Sequence, residues 1–254
     1  MILRRSFLTL LMGSVLLSAC FVPLAAQELP TEALLPTATA SETPVWFPPT
    51  PTPSPFPTAV LSPTPDMRPG VTELLLADDF SDASLWSTSR SASASAQIAN
   101  GRLTLVLKSA HSYLVSTRSE PVFRDFYAEL TATTSYCHAE DEYGLVLRAQ
   151  DGNHFRFSLS CDGRAKVDRF YNGALSRQAD WLSSGAVPSL APSTTRLGVW
   201  AAGGQMHFFV NDFYLFSVTD SLLYRGTLGA FVHAASESDI SVGFSDLKVW
   251  QVER

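Results

Sequence analysis

The chain predicts an all-β protein, an antiparallel two-sheet sandwich or a barrel, and three observations carry that reading. Apolar residues alternate with polar ones at a period of two through most of the segment after residue 72. Asn-Gly, Asp-Gly and Asn-Asp pairs punctuate those runs at short intervals. Helical periodicity is hard to find in the same segment.

Each run can be justified in order. Leu103, Leu105 and Leu107 share one face, with Thr104, Val106 and Lys108 on the other. Phe126, Ala128 and Leu130 alternate with Tyr127, Glu129 and Thr131. Phe155, Phe157 and Leu159 alternate with His154, Arg156 and Ser158, and Met206, Phe208 and Val210 with Gln205, His207 and Phe209. Asn100-Gly101 joins residues 95–98 to 102–107, and Asp151-Gly152-Asn153 joins 143–149 to 154–160. Asn172-Gly173 follows 164–171, and Asn211-Asp212 separates 205–210 from 213–218. Asn and Gly tolerate the positive φ that tight hairpins need. Strands near 74–77 and 242–249 are expected to pair, because domain ends often meet.

Upstream the composition changes. Thirteen of the 16 prolines precede residue 70, with Thr, Ser and Ala between them. Proline lacks an N–H and fixes φ, so residues 20–70 read as a disordered Pro/Thr/Ser-rich stalk that favours polyproline II. Fifty such residues span on the order of 100 Å. Trp46 and Phe47 are unusual in such a tract. Residues 71–254 make one domain's worth of chain.

The first 19 residues read as a signal peptide. Arg4-Arg5 precede an apolar run over 7–17, too short for a spanning helix of ~20 residues. With Leu17-Ser18-Ala19-Cys20 closing it, the segment resembles a bacterial lipoprotein signal. That resemblance implies cleavage before Cys20, lipid on its sulfur, and an extracytoplasmic, membrane-anchored address. Multiple acylation is what makes such an anchor stable. No later stretch has the ~18 consecutive apolar residues of a membrane helix.

The order of motifs along the domain resembles the concanavalin A-like lectin/glucanase jelly rolls. Within them it is similar to the bacterial 3-keto-disaccharide hydrolase-like and laminin-G-like group. The carrying residues are Asp79-Phe80-Ser81-Asp82 with Trp86, Gly101-Arg102-Leu103, Asp125-Phe126-Tyr127 and Tyr143 through Arg148. Phe155-Arg156-Phe157, Phe209 through Asp212, Gly226 through Gly229 and Phe244 through Leu247 complete the series. The resemblance implies a jelly-roll sandwich; lectins, hydrolases and inert modules share that fold, so it does not give function.

With Cys20 lipidated, Cys137 and Cys161 remain and one disulfide closes the arithmetic. If 123–136 and 154–160 both flank 143–149, the two thiols share a rim. They then sit two strand widths apart, so the loop over 138–142 must fold inward. A reactive thiol pair is the alternative, unsupported by any C-x-x-C.

The net charge of -6, without a long run of either sign, argues against nucleic-acid binding. Glycosidases of this fold carry two or three carboxylates spaced E-x-D-x-x-E on one strand, and that spacing is absent. Glu129 stands alone on its strand. Glu140-Asp141-Glu142 reads as a solvated acidic turn, with calcium at Asp141 as the sharper reading. Asp79 and Asp82 are a second calcium candidate. His111, His138, His154, His207 and His233 show no metal-ligand spacing.

What remains is a set on the polar faces of the strands: Tyr127, Arg148, His154 and Arg156, with Lys166 and Asp168, and with Tyr171 and Trp181 nearby in sequence. Aromatic faces stack on sugar rings and paired polar groups take sugar hydroxyls, so the set suits a glycan. The bland reading makes Arg148 and Arg156 cross-strand partners of Glu129 and Asp168. The sequence therefore predicts a non-catalytic glycan-binding lipoprotein. A divergent glycoside hydrolase and an envelope protein-interaction module are the alternatives.

Overall fold

In the computed structural model, residues 65–236 and 239–254 are described; the signal segment, Cys20 and the stalk up to residue 64 lie outside them. Fifteen strands are present among the described residues. They are β1 (Val71–Asp78), β2 (Ser89–Arg90), β3 (Ala94–Ala99), β4 (Arg102–Leu107) and β5 (Ser112–Thr117). Then come β6 (Phe126–Tyr136), β7 (Glu142–Gln150), β8 (Asn153–Ser160), β9 (Arg164–Tyr171) and β10 (Ala174–Ser183). The series ends with β11 (Ser193–Ala202), β12 (Gln205–Val210), β13 (Phe213–Thr219), β14 (Thr227–Ala234) and β15 (Ile240–Val252).

They form an antiparallel two-sheet jelly-roll sandwich. Sheet I has nine strands in the order β13-β12-β11-β6-β15-β4-β3-β2, with β1 also on β15. Sheet II has six, in the order β10-β9-β8-β7-β14-β5. β15 pairs with β6 along one side, while β4 and β1 divide the other. The expected meeting of first and last strands is there, with Leu74 opposite Trp250 and Ala77 opposite Lys248.

The alternation read from sequence defines the inner faces. Leu103, Leu105, Phe126, Ala128, Leu130, Phe208 and Val210 from sheet I meet Leu145, Leu147, Phe155, Phe157, Leu159 and Val167 from sheet II in one core. The rings of Phe157 and Phe208 touch across it, with centroids 4.9 Å apart. Hairpin tips take the left-handed backbone their residues tolerate: Asn100 and Gly101 at φ 52 and 68, Asn172 and Gly173 at φ 51 and 75.

The disulfide forms, but not where the strand order predicts. β6 belongs to sheet I, and β7 is flanked by β8 and β14. Cys137 past β6 and Cys161 past β8 therefore tie one sheet to the other, with Cα atoms 5.8 Å apart. The reason is topological: alternation assigns a residue to a face of its strand and says nothing about which sheet holds the strand.

The loop beside it does turn inward. Asp141 is fully buried, and Glu142 is nearly so. Asp141 Oδ1 accepts from the backbone N–H of Ala235 and Ser236 and from the Ser236 hydroxyl. Its Oδ2 accepts from the His138 N–H. The solvated acidic turn is thus corrected: only Glu140 of the three is exposed.

Candidate functional site on sheet II

The outer face of sheet II carries a dense set of charged and aromatic side chains. Cross-strand register brings its side chains together. Tyr113 on β5 faces His233 on β14, which faces Glu142 on β7. Arg156 on β8 faces Asp168 on β9, Ser158 faces Lys166, and His154 faces Phe170. Two of these pairs stack as rings, Tyr113 on His233 at 3.8 Å and His154 on Phe170 at 5.1 Å. Gly144 lies opposite Phe231 in the next strand, and a Cβ there would stand 3.2 Å from the Phe231 ring.

An ion network crosses the face. Lys166 Nζ lies 2.9 Å from Glu142 Oε1 and 3.3 Å from Asp168 Oδ2. Arg177 Nε on β10 is 2.5 Å from the other Asp168 oxygen. His233 Nδ1 sits 3.2 Å from Glu142 Oε1. Burial alone would raise the Glu142 pKa, but the bonds from His233 and Lys166 outweigh it and hold the carboxyl below its ordinary range.

Aromatic rings also hold cations of this face. The Arg156 guanidinium lies 4.0 Å from the Phe170 centroid, 4.4 Å from Tyr113 and 5.4 Å from Phe231. Trp181 takes Lys166 at 4.4 Å and Arg164 at 4.9 Å. Such contacts stabilise by about 0.5–2 kcal/mol each. Burial, and then the charge of Arg156, push the His154 pKa down. At the end of the face His154 joins Val115, Thr117, Asn153 and Thr227 in the wall of a cleft of about 530 Å³.

The structure does not bring the six sequence-predicted ligand residues together. His154, Arg156 and Trp181 share this face, with Lys166 and Asp168 between them. Tyr127 stands on the outer face of sheet I, buried among Trp200, Phe209 and Val252. The chain's own residues cover it there. Arg68 lies over the Tyr127 and Phe209 rings, Trp200 Nε1 donates to the Pro69 carbonyl at 2.8 Å, and His207 Nδ1 donates to that of Met67. Tyr171 is on the inner side of β9 and packs against the core.

Arg148 is displaced by a register shift between Leu147 and Gln150, where its φ is 51. It is fully buried and donates to the carbonyls of Leu223 and Arg124, bracing two rim loops. Burial pulls its pKa down to about 10. Its expected partner Glu129 instead accepts from the Tyr127 hydroxyl and faces Arg196 at 3.9 Å.

The calcium candidates are engaged by donors. Asp79 accepts from Ser81 N–H, and Asp82 from the Ser84 N–H and hydroxyl. Asp141 is filled as described above. Among the described residues no three His, Cys, Asp or Glu side chains converge as a metal site. Sequence reasoning missed Tyr113, Phe170, Phe231, His233 and Glu142; for Tyr113 the signal was the Tyr113/Val115/Thr117 alternation along β5.

No protein-family model matches the chain, and no curated protein matches it. Solved structures do. Carbohydrate-binding module CBM66 from Bacillus subtilis superposes with a TM-score of 0.53 at 18% identity, covering 66% of this chain and 96% of that one. A galectin-like protein of unknown function from Bacillus subtilis gives 0.53 at 16%, covering 72% and 99%. The catalytic domain of an endo-1,3-beta-glucanase from Thermotoga petrophila gives 0.51 at 9%, covering 72% and 98%. At such identities the likeness is one of fold: this chain carries a sandwich that a carbohydrate-binding module, a galectin-like protein and a glucanase also carry.

Proposed function

We propose that the chain is an extracytoplasmic lipoprotein, anchored through Cys20, whose sandwich binds a glycan on the outer face of sheet II without catalysis. One observation carries the reading. A single sheet face gathers Tyr113, Phe170 and Trp181 with Arg156, Lys166 and His154, and opens at one end into a cleft. Rings offer stacking surface to sugar C–H groups, and the fixed charges between them offer oriented hydrogen bonds. The fold shared with a carbohydrate-binding module supports the same reading.

The carboxylates favour binding over hydrolysis. Glu142 and Asp168 both contact Lys166, so both are held by the same cation. A glycosidase needs one carboxyl raised in pKa to protonate the leaving oxygen, and Glu142 is pushed the other way. The lipoprotein part rests on the Leu17-Ser18-Ala19-Cys20 pattern.

A glycan array probed with the purified protein tests the binding. Trp181→Ala and Tyr113→Ala are expected to weaken any hit by about tenfold each while both variants stay folded, with melting temperatures lowered by the lost ring contacts. If nothing binds and these variants alter only stability, the glycan reading fails. Intact-mass analysis of the membrane fraction tests the anchor; an unmodified Cys20 would overturn it.

A further inference from the structure

Among the described residues the sheet edges are β1, β2 and β13 in sheet I and β5 and β10 in sheet II. An open edge is a template for further pairing, and natural edges are blunted by charge, proline, bulges or brevity. β1 holds Glu73 and Asp78 and breaks register twice against β15. β2 has two residues, one of them Arg90. β10 carries Arg177 and Asp180 and breaks register twice. β13 breaks register once. β5 has no charged residue, no proline and an unbroken register on β14.

The main-chain parity of that edge follows from its C-terminal end. The Arg118 N–H donates to the Leu228 carbonyl at 2.8 Å, so even-numbered residues here turn their main-chain groups to β14 and odd-numbered ones turn theirs away. Ser87 takes both outward groups of Thr117: its N–H donates to the Thr117 carbonyl, and its hydroxyl accepts from the Thr117 N–H. The same outward groups of Tyr113 and Val115 meet no hydrogen-bond partner among the described residues. Both residues are open to solvent, at 44% and 36% exposure. Ser87 thus closes the edge at Thr117 and leaves it open over the rest of the strand.

The groups left over decide what can pair there. The N–H and C=O of Tyr113 and Val115 offer hydrogen bonds with a net gain of about 0.5–1.5 kcal/mol each. A disordered peptide loses about 1–2 kcal/mol for every residue fixed as a strand, more than those bonds return. The partner must therefore arrive as a strand already formed, with the same spacing of outward groups. We propose that it is β5 of a second copy of this chain, paired antiparallel about a two-fold axis at Leu114. That centre sets Tyr113 opposite Val115 of the partner subunit, so the outward groups of each meet those of the other. Each ring then lies beside a β-branched side chain, a cross-strand pair that stabilises by about 0.2–1 kcal/mol. The strand has no charge to meet its like across the axis. Pairing of this kind keeps the outer faces of both copies of sheet II on one side. The interface goes beyond the glycan reading and does not depend on it.

Sedimentation equilibrium tests it on the Cys20→Ser protein, which has no thiol for a lipid that would drive association by itself. So short an edge makes a weak dimer, and the series runs from about 10 μM to about 1 mM. A monomer–dimer equilibrium is expected. Val115→Lys sets a charge on the edge and is expected to weaken association by about tenfold or more. Phe213→Lys, on the β13 edge, is expected to leave it unchanged. A monomer at every concentration overturns the proposal, and so does a dimer that Val115→Lys leaves intact. A dimer lost in Phe213→Lys assigns the contact to β13 and overturns it too. Should Val115→Lys not fold, hydrogen exchange on the Cys20→Ser protein decides. The amides of Tyr113 and Val115 should exchange more slowly at the high concentration than at the low one, and equal exchange at both overturns the pairing.

Discussion

Cys137 and Cys161, 24 residues apart in sequence, join the β6 exit to the β8 exit and so fasten sheet I to sheet II. The link constrains the unfolded chain across a loop of that size, a contribution of about 3 kcal/mol. Reduction, or the Cys137→Ser/Cys161→Ser pair, is expected to lower the melting temperature markedly. An unchanged midpoint would contradict the bond.

Asp141 is the second fastener. Its carboxylate accepts backbone N–H groups from residues on both sides of the sandwich rim. Asp141→Ala leaves those donors buried without acceptors and is expected to cost about 2–4 kcal/mol in chemical denaturation. Because its oxygens already hold N–H donors, adding EDTA is expected to leave the parent's melting temperature where it was.

Lys166 separates two carboxylates. Lys166→Met removes the shared cation and strands Glu142 and Asp168 side by side, with an expected loss of about 3–5 kcal/mol. Restoring neutrality in the triple variant Glu142→Gln/Lys166→Met/Asp168→Asn should recover much of it. Recovery is read from urea midpoints of the two variants.

The same network predicts an acid limb. The Glu142 pKa in the folded chain lies below its ordinary 4.5, so its contribution to stability is complete above that value and is lost as the pH falls through the folded pKa. Stability measured against pH should therefore decline below about 4.5. Glu142→Gln should make that decline shallower.

Gly144 tests the packing under the site. A Cβ there would lie 1.9 Å from the Phe157 carbonyl oxygen, a backbone atom that cannot step aside without breaking the β7–β8 pairing. Gly144→Ala is expected to destabilise by about 3 kcal/mol. Gly152, where an added Cβ would meet nothing within 4 Å, is a control for space alone, since its φ of 80 carries its own strain.

How much of this was legible depends on which physical constraint wrote each feature. Strand faces were readable because burial imposes a period of two, and Leu103, Phe126, Phe155 and Phe208 all landed inside. Hairpins were readable because Asn-Gly and Asp-Gly satisfy a backbone requirement locally. The site was only partly readable. Tyr127 has the right face and the wrong sheet, which alternation cannot distinguish. Arg148 lost its parity to a bulge, and Trp181 sits on β10, where register shifts follow Arg177 and Ala179. Arg156, Ser158, Lys166 and Asp168 read as solvent-facing polar residues, yet side chains from neighbouring strands bury them.

The position of β15 has a consequence for how the molecule can be made. It follows every other strand among the described residues, yet it lies between β6 and β4 and carries β1 as well. A nascent polypeptide halted before residue 240 lacks the middle of sheet I, leaving Leu103, Leu105, Phe126 and Ala128 without the neighbour that completes their layer. Maturation of sheet I is thus deferred until residues 240–252 have been made, and products truncated before them are expected to be adhesive, protease-sensitive fragments rather than smaller working versions of the whole.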